Sequence, residues 1–589
     1  MRQKTMSRQK ALASIRERPE CSVLIVGAGV NGIGVFRELA LQGVDVLLVD
    51  KSDFCAGTSA ASSHMVHGGL KYLENGEFRL VREALAERNR LLQNAPHYVK
   101  PLPTTIPIFS WLSGILNAPL KFLNLLDRPG ERGALVIKIG LTMYDLFTRG
   151  DRTLPTHQFR SRARSLEQYP HLNPKIICTA TYYDAYMPCP ERISLELVLD
   201  AEEVCAEALA VNYLIVDGAS EGTVLLRDEL SGEVFRVKPQ IVINAAGPWI
   251  DFVNRSMGRV TAFIGGTKGS HLVVDCPELR QAIGDHEFYF ENKDGRICLM
   301  LPFEDKVMVG STDIRVDDPE QVQCTEEEVD YLLASVSLVF PGIKLDRSHI
   351  VFRFSGVRPL PKNDSVKEVD QITRDHSMEV VEPGNGVDFP IYSLVGGKWT
   401  TFRAFSEQVT DEVLARLGRP RRVHTRNMPI GGGENYPHTE DDRQRWLDRL
   451  QKKTGLQPER LELLFRRYGT RAEPIAEFLA AGPDSTLENH PAYSRREIAF
   501  LATQEKVVHL DDVILRRTLI GMLGQTSASL VKELADIVGD ALGWSDERVR
   551  AEVQRVVRIL REQHGVPLER LSVAWDTSTS STVPAQGSN

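Results

Sequence analysis

Glycines at Gly27, Gly29 and Gly32, followed by a carboxylate at Asp50, have the types and spacing to hold the pyrophosphate and ribose of a dinucleotide. Gly27 permits a tight turn, Gly29 lets the backbone approach a pyrophosphate, and Gly32 lets a helix pack closely on a strand. Asp50 stands about 20 residues beyond the glycines, where a carboxylate accepts hydrogen bonds from ribose hydroxyls. A glycine-rich structural turn would account for the three glycines alone but leaves Asp50 unexplained. The fingerprint does not by itself separate NAD from FAD. Among other patterns, His64-x-x-His67 lacks a third ligand of suitable spacing and sits among small residues, so it reads as part of a ligand-binding loop and no metal is expected. The sequence has no P-loop, which removes the best marker of phosphoryl transfer.

The elements that must position these residues follow in order. An apolar run at 22–26 has the character of a buried strand, the glycines come next, a helical segment ends at Gly43, and a second apolar strand over 44–49 closes on Asp50. Strand, glycines, helix, strand and acid in register make a strong signal. Residues 56–69 are rich in small side chains, as suits chain passing close to a ligand. Residues 77–92 carry Leu80, Val81, Ala84, Leu85, Leu91 and Leu92 at mostly helical spacing, which predicts an amphipathic helix. The middle alternates β-like runs (211–216, 223–226, 241–244, 271–274, 297–301, 306–309) with turns, which reads as mixed sheet. A Gly- and Pro-dense linker over 418–437 marks a domain boundary. Beyond it the pattern is helical to about residue 563, with a capping box expected at Ser494 and Glu497.

The chain has 589 residues, too many for one compact core, so two or three domains are expected. Hydrophobic residues at 42% and charged residues at 25% place it among globular proteins and against fibrous or disordered classes. A net charge of −8 provides no global footprint for nucleic acid, which is not expected as a partner. The eight cysteines form no CxxC pair, so neither a disulfide framework nor a zinc ribbon is suggested and a reducing compartment fits. The basic first twenty residues read as a flexible arm, and residues 576–589 as a disordered tail. Residues 106–126 are long enough to cross a bilayer but are interrupted by Pro107, Asn117, Pro119 and Lys121. They read either as a helical surface for a membrane interface, with Trp111 and Leu112 and followed by Arg128, Arg132 and Lys138, or as buried core.

Seven motifs in the first four hundred residues, GTSAASSHMVHGGLKYLE (57–74), INAAGPWID (243–251), KGSH (268–271), GSTD (310–313), FSGVRPL (354–360), ITRD (372–375) and GGKWTTFR (396–403), resemble the FAD-dependent glycerol-3-phosphate dehydrogenase family. RRYG (466–469) and DDVILRRT (511–518) extend the likeness toward the C-terminus. The resemblance implies a fold of the glycine-oxidase or D-amino-acid-oxidase type: an α/β, Rossmann-like FAD-binding domain over 21–417 with mixed-sheet substrate insertions roughly at 96–190 and 261–350. An all-α C-terminal domain follows over 438–565. It implies FAD as cofactor, with Gly27, Gly29, Gly32 and Asp50 at its ADP end and Thr58, Ser59, Ser62 and Ser63 beside its phosphates and flavin. Ala246 and Gly247 would allow close backbone approach, and Gly397, Lys398, Thr400 and Thr401 would present a helix N-terminus to the flavin.

The reaction implied is oxidation of sn-glycerol 3-phosphate at C2, with hydride passing to flavin N5 and electrons to a quinone. A dianionic phosphate needs forked cations and the C2 hydroxyl needs a proton acceptor. By the resemblance Arg358, Arg374 and Lys398 are the expected cations, with Lys71 and Tyr72 as further substrate contacts. His271 is the favoured general base, and Lys398 the other. Two departures bear on substrate detail: Lys71 stands where the family often has arginine, and Cys189-Pro190-Glu191 precedes Arg192 where two acids and an alanine are common. Oxygen as acceptor, another anionic hydroxy acid or amine as substrate, and a non-catalytic flavin-binding module are the competing readings. A cytoplasmic protein peripheral on the inner face of the membrane, contacting it through 106–138, is expected, with a homodimer as a further possibility.

Overall fold

The computed structural model describes residues 6–73, 76–113, 132–150, 153–363, 372–384 and 386–571. The expected tail over 576–589 and most of the 106–126 stretch lie outside them.

Two sheets organise the chain. The first is eight-stranded, in the order His376–Val381, Ile391–Gly396, Val234–Asn244, Glu20–Val26, Val46–Val49, Ala208–Val211, with Thr223–Asp228 pairing Val234–Asn244 and Leu214–Ser220 pairing Thr223–Asp228. Its four central pairings are parallel, and the central strands are apolar without alternation because helices cover both faces. From Glu20–Val26 the chain runs through the Val30–Leu41 helix to its neighbour on one side, while Val234–Asn244 lies on the other. The carboxyl end of Glu20–Val26 is therefore a topological switch point, where an α/β sheet opens a ligand crevice.

The second sheet is ten-stranded and mixed. It runs Ile314–Arg315, Thr267–Val274, Lys306–Gly310, Ile297–Phe303, Glu287–Glu291, Lys100–Ile108, Cys178–Tyr186, Met65–Val66; Ile350–Arg358 pairs Thr267–Val274 and Gln158–Ser161 pairs Cys178–Tyr186. Met65–Val66 and Ile350–Arg358 thus bring in chain at and beyond the edges of the segments expected to build it. Thr267–Val274 and Ile350–Arg358 are neighbours over eight paired positions, which sets Thr267 opposite Arg358 and His271 opposite Phe354.

Helices from Glu440–Thr454 to Asp546–Glu562 form the C-terminal domain. Its core is continuous with the back of the second sheet: Phe303, Phe352 and Phe354 share one buried cluster with Leu464, Ile514 and Leu523. Ser494 caps the Arg495–Gln504 helix by accepting from Glu497 N, but the Glu497 carboxylate turns to Arg467 and Tyr468 instead of closing the box.

Four local expectations are corrected. The first twenty residues are not all a flexible arm: Arg8–Glu17 is a helix that buries Ala11, Leu12 and Ile15, and Arg8 pairs with Asp228. The 106–126 stretch does not begin as a helix, because Lys100–Ile108 is a strand whose Pro101, Pro103 and Pro107 share one parity, so the donors they lack lie on one edge. The expected 211–216 strand is broken at Asn212 and Tyr213, the latter at φ 56°. The 418–437 segment is tightly seated: a Cβ on Gly432 would meet Tyr468 O at 1.9 Å, and Gly432 N donates to Glu196.

Candidate active site

At the switch point the glycines do what their spacing predicts. Gly27 adopts φ +105°, and a Cβ there would lie 2.6 Å from the backbone of Ala245 on the neighbouring strand. A Cβ on Gly32 would meet Gly27 O at 1.9 Å, so only glycine lets the helix sit on the turn. Gly29 is the N-cap of the Val30–Leu41 helix and has no side chain to cap it, and Val30 N donates to Ser59 Oγ at 3.0 Å. Asp50 is fixed by Ala28 N at 2.6 Å and Ser52 N at 2.8 Å. Burial raises its carboxyl to about 6 against those two N–H groups.

The remaining cofactor candidates line the same crevice in differing ways. Ala246 follows the 234–244 strand with its N–H on Asn244, and Gly247 takes φ +58° with no atom within 4 Å of an added Cβ. Thr58 donates to Val357 O, Ser62 accepts from His64 N, and Ser59 O accepts from Trp399 Nε1, so these residues brace the loop as much as they face a ligand. Gly396 and Gly397 take φ +74° and +93°, turning the chain into the short helix Trp399–Thr401 and then Phe402–Arg416. Thr400 Oγ1 accepts from His67 N, while Thr401 Oγ1 and Asn31 Oδ1 are buried without a hydrogen-bond partner among the described residues. Open space beside Gly247 and these orphan polar atoms are what an elongated dinucleotide would fill, and FAD fits that set.

Beside this crevice the predicted cations converge. The Lys398 amine sits 3.9 Å from the centre of the Tyr72 ring, over Gly69, buried and without a hydrogen-bond acceptor among the described residues. Burial, reinforced by Arg374 and opposed by Glu77, lowers it to about 7. Arg358 and Arg374 both reach Asp313, at 2.9 and 3.3 Å. Arg358 also donates to Ser311 Oγ and Thr312 O. Lys71 occupies the same short turn as Tyr72, half-buried. His271 lies on the sheet floor with Nε2 2.8 Å from Ser63 Oγ and its ring stacked on Phe354. Burial and then Arg358 hold it well below its ordinary value, so it is neutral at pH 7.

Sequence reasoning missed two contributors and gave a third, Ser63, a different partner. Asp313 stood in the GSTD motif without a role, and only the fold brings both arginines to it. Asp184 receives Gly68 N, Tyr144 Oη and Arg88 beneath the loop that carries Tyr72. Ser63 was placed at the cofactor but holds His271. Arg192, by contrast, is remote from the pocket, paired at 2.5 Å with Glu505 in the helical domain. Of the two histidines in HxxH, His64 lies against Pro188 O and Ala60 O, while His67 is lowered to about 3 by burial, Lys398 and Arg374. Among the described residues the group able to share a metal ion is His509, Asp511 and Glu552, and Arg548 and Arg555 already pair with it.

Residues 22–387 match the family model of FAD dependent oxidoreductases, and residues 423–549 that of the C-terminal domain of alpha-glycerophosphate oxidase. The glycerol-3-phosphate dehydrogenase of Synechocystis sp. is 34% identical over 92% of this chain and 97% of its own length. That of Pseudomonas aeruginosa is 32% identical over 85% of this chain and 92% of its own. The chain belongs to the FAD-dependent glycerol-3-phosphate dehydrogenase family. The glycerol-3-phosphate dehydrogenase of Bacillus halodurans, solved in complex with FAD, shares the fold with a TM-score of 0.71 over 94% of this chain and 97% of that one, at 23% identity. The cofactor of this glycerol-3-phosphate dehydrogenase family member is FAD, as the switch-point crevice accommodates.

Proposed function

We propose that the protein oxidises sn-glycerol 3-phosphate to dihydroxyacetone phosphate and returns the electrons to a quinone at a membrane surface. The observation that carries the substrate is the gathering of Lys398, Arg374 and Arg358 around Tyr72, with the Lys398 amine buried and lacking a hydrogen-bond acceptor among the described residues. Two guanidinium forks within reach of one carboxylate suit a phosphate dianion better than a carboxylate substrate, for which one of them would be superfluous.

FAD, when bound, supplies the hydride acceptor at flavin N5. The protein's part is to bind, orient and remove a proton. Arg358 and Arg374 hold the phosphate. Lys398, lowered to about 7, is partly neutral at physiological pH and accepts the C2 hydroxyl proton, because a general base works best with a pKa near the working pH. His271, favoured from sequence, is held too far below that pH and is tied to Ser63. We give it the role of a neutral hydrogen-bond partner that orients the substrate. The N-terminus of the Phe402–Arg416 helix, reached through Gly397, favours negative charge on the flavin.

Anaerobic mixing of the purified protein with sn-glycerol 3-phosphate tests the reaction: the yellow flavin should bleach, and a flavin that stays oxidised overturns the proposal. The quinone is supported by exposed apolar side chains at Trp111, Leu112, Leu135, Ile139 and Leu146, which suit a membrane interface. Quinone reduction outpacing oxygen consumption is the expected result, and the reverse would make the protein an oxidase.

A further inference from the structure

The DDVILRRT run lies in the helical domain, yet its arginines end on the loop that follows Asp50, the carboxylate expected at the ribose. Residues 50–55 form the loop between the ribose-facing carboxylate and the glycine turn. Cys55 N donates to Ala28 O at 2.8 Å, so the loop is anchored to the turn at both ends. On one flank the chain at 211–214 supports it, through Tyr213 N to Ser52 O and Leu214 N to Asp50 O. At its centre is Asp53, fully buried.

The helical domain holds that aspartate from the other flank. Arg517 grips both Asp53 oxygens, at 2.6 and 3.1 Å, and Arg516 Nε adds a contact at 2.7 Å. Arg517 is itself fixed by Glu505 O and Arg516 by Asp511, while Asp512 receives Tyr213 Oη from the supporting chain. Asn212 closes the ring, donating to Asp53 Oδ1 and to Lys506 O. Burial raises the Asp53 carboxyl, but the two guanidiniums outweigh it and keep it below the carboxylate range. Removing one partner leaves such a buried carboxylate under-compensated and destabilises its position.

We propose that Arg517 and Arg516, acting through Asp53, are positioning residues for the adenosine end of FAD: the docked helical domain sets the loop that aims Asp50 at the ribose. They touch neither cofactor nor substrate. At metal sites, removing the partner that orients a directly binding group weakens binding about 10- to 100-fold, and the same scale is expected here. Arg517→Gln should therefore raise the FAD dissociation constant about that much, measured as free-flavin fluorescence appearing when purified holoenzyme is diluted. The dissociation constant of ADP for the flavin-free protein should rise in the same proportion.

The control is Arg471→Gln, which breaks another pairing of the helical domain, with Asp200 at 2.8 Å and Glu203 at 3.0 Å, far along the chain from the loop. FAD affinity lowered by Arg517→Gln and kept by Arg471→Gln supports the proposal. Equal FAD affinity in Arg517→Gln and wild type overturns it, and so does equal weakening by both variants, which would reflect docking in general. Where Arg517→Gln gives no folded protein, Asp53→Asn/Arg517→Gln removes that buried pair together, leaves Arg516 paired with Asp511, and is judged against Arg471→Gln in the same way. The inference rests on FAD as the cofactor; a wild-type protein that retained no flavin would fail that reading, while a wild type that retains it leaves the arginine comparison decisive.

Discussion

Lys398 gives the reaction a pH signature that differs from one set by a histidine. Its neutral form accepts the proton, so protonation below about pH 7 removes activity, and kcat/KM should rise with pH through that value. Lys398→Arg remains charged throughout and should lower kcat about 10²- to 10⁴-fold, the usual scale for a general base, while erasing the rising limb. A wild-type profile flat between about pH 6 and 8, or a limb surviving in the variant, would return the role to His271. Arg358→Lys keeps the charge but loses the fork. It should cost about 1.5–3 kcal/mol, or roughly 10- to 150-fold in kcat/KM for glycerol 3-phosphate, with little change for unphosphorylated glycerol. The residues in these predictions were legible as types within motifs. Their division of labour was not: the lowered Lys398 arises from burial beside Arg374, and Asp313 gains meaning only when two distant arginines reach it.

The βαβ turn was readable because each glycine answers a local constraint that sequence spacing records. Gly32→Ala tests this directly. Its Cβ would stand 1.9 Å from Gly27 O, so the Val30–Leu41 helix must shift off the turn. Overpacking of this kind costs about 1–3 kcal/mol, and the moved N-terminus should lose flavin. The flavin-to-protein ratio after gel filtration measures it, and an alanine variant that keeps a full complement contradicts the packing argument. Ser494→Ala acts at another helix end with a purely local result. Losing the bond to Glu497 N should cost about 1 kcal/mol in urea unfolding and leave flavin content untouched. Elements whose order depends on partners far away in sequence were the ones misread. The basic Arg8–Glu17 helix looks like a solvated arm until Asp228 and the sheet receive it, and the glycines at 431–433 look like a linker until Tyr468 packs on them.

Taken across the whole molecule, apolar surface is distributed unevenly. The Ala134–Phe147 helix buries Ala134, Ile137, Leu141 and Tyr144 on one face, yet Leu135, Ile139 and Leu146 stand on the other, and Trp111 and Leu112 are exposed as well; all five outward residues are between 48% and 68% exposed. A helix apolar on both faces has two environments to satisfy, and water satisfies only one poorly. No helix among the described residues is long and apolar enough to cross a membrane, so this face suits insertion into the interfacial layer, with Lys138 beside it for lipid phosphates. Burying a large aliphatic side chain contributes roughly 1.5–3 kcal/mol, so converting two of them to charges should lower partitioning by more than about a hundredfold. The experiment is co-sedimentation of Ile139→Glu/Leu146→Glu with vesicles containing anionic lipid. Wild type should pellet and the variant remain in the supernatant, while both reduce a soluble dye acceptor at the same rate, because neither residue belongs to the pocket. Quinone reduction in the vesicles should fall with binding. Equal sedimentation of the two proteins would remove the membrane from the proposal, and with it the structural support for a quinone over oxygen.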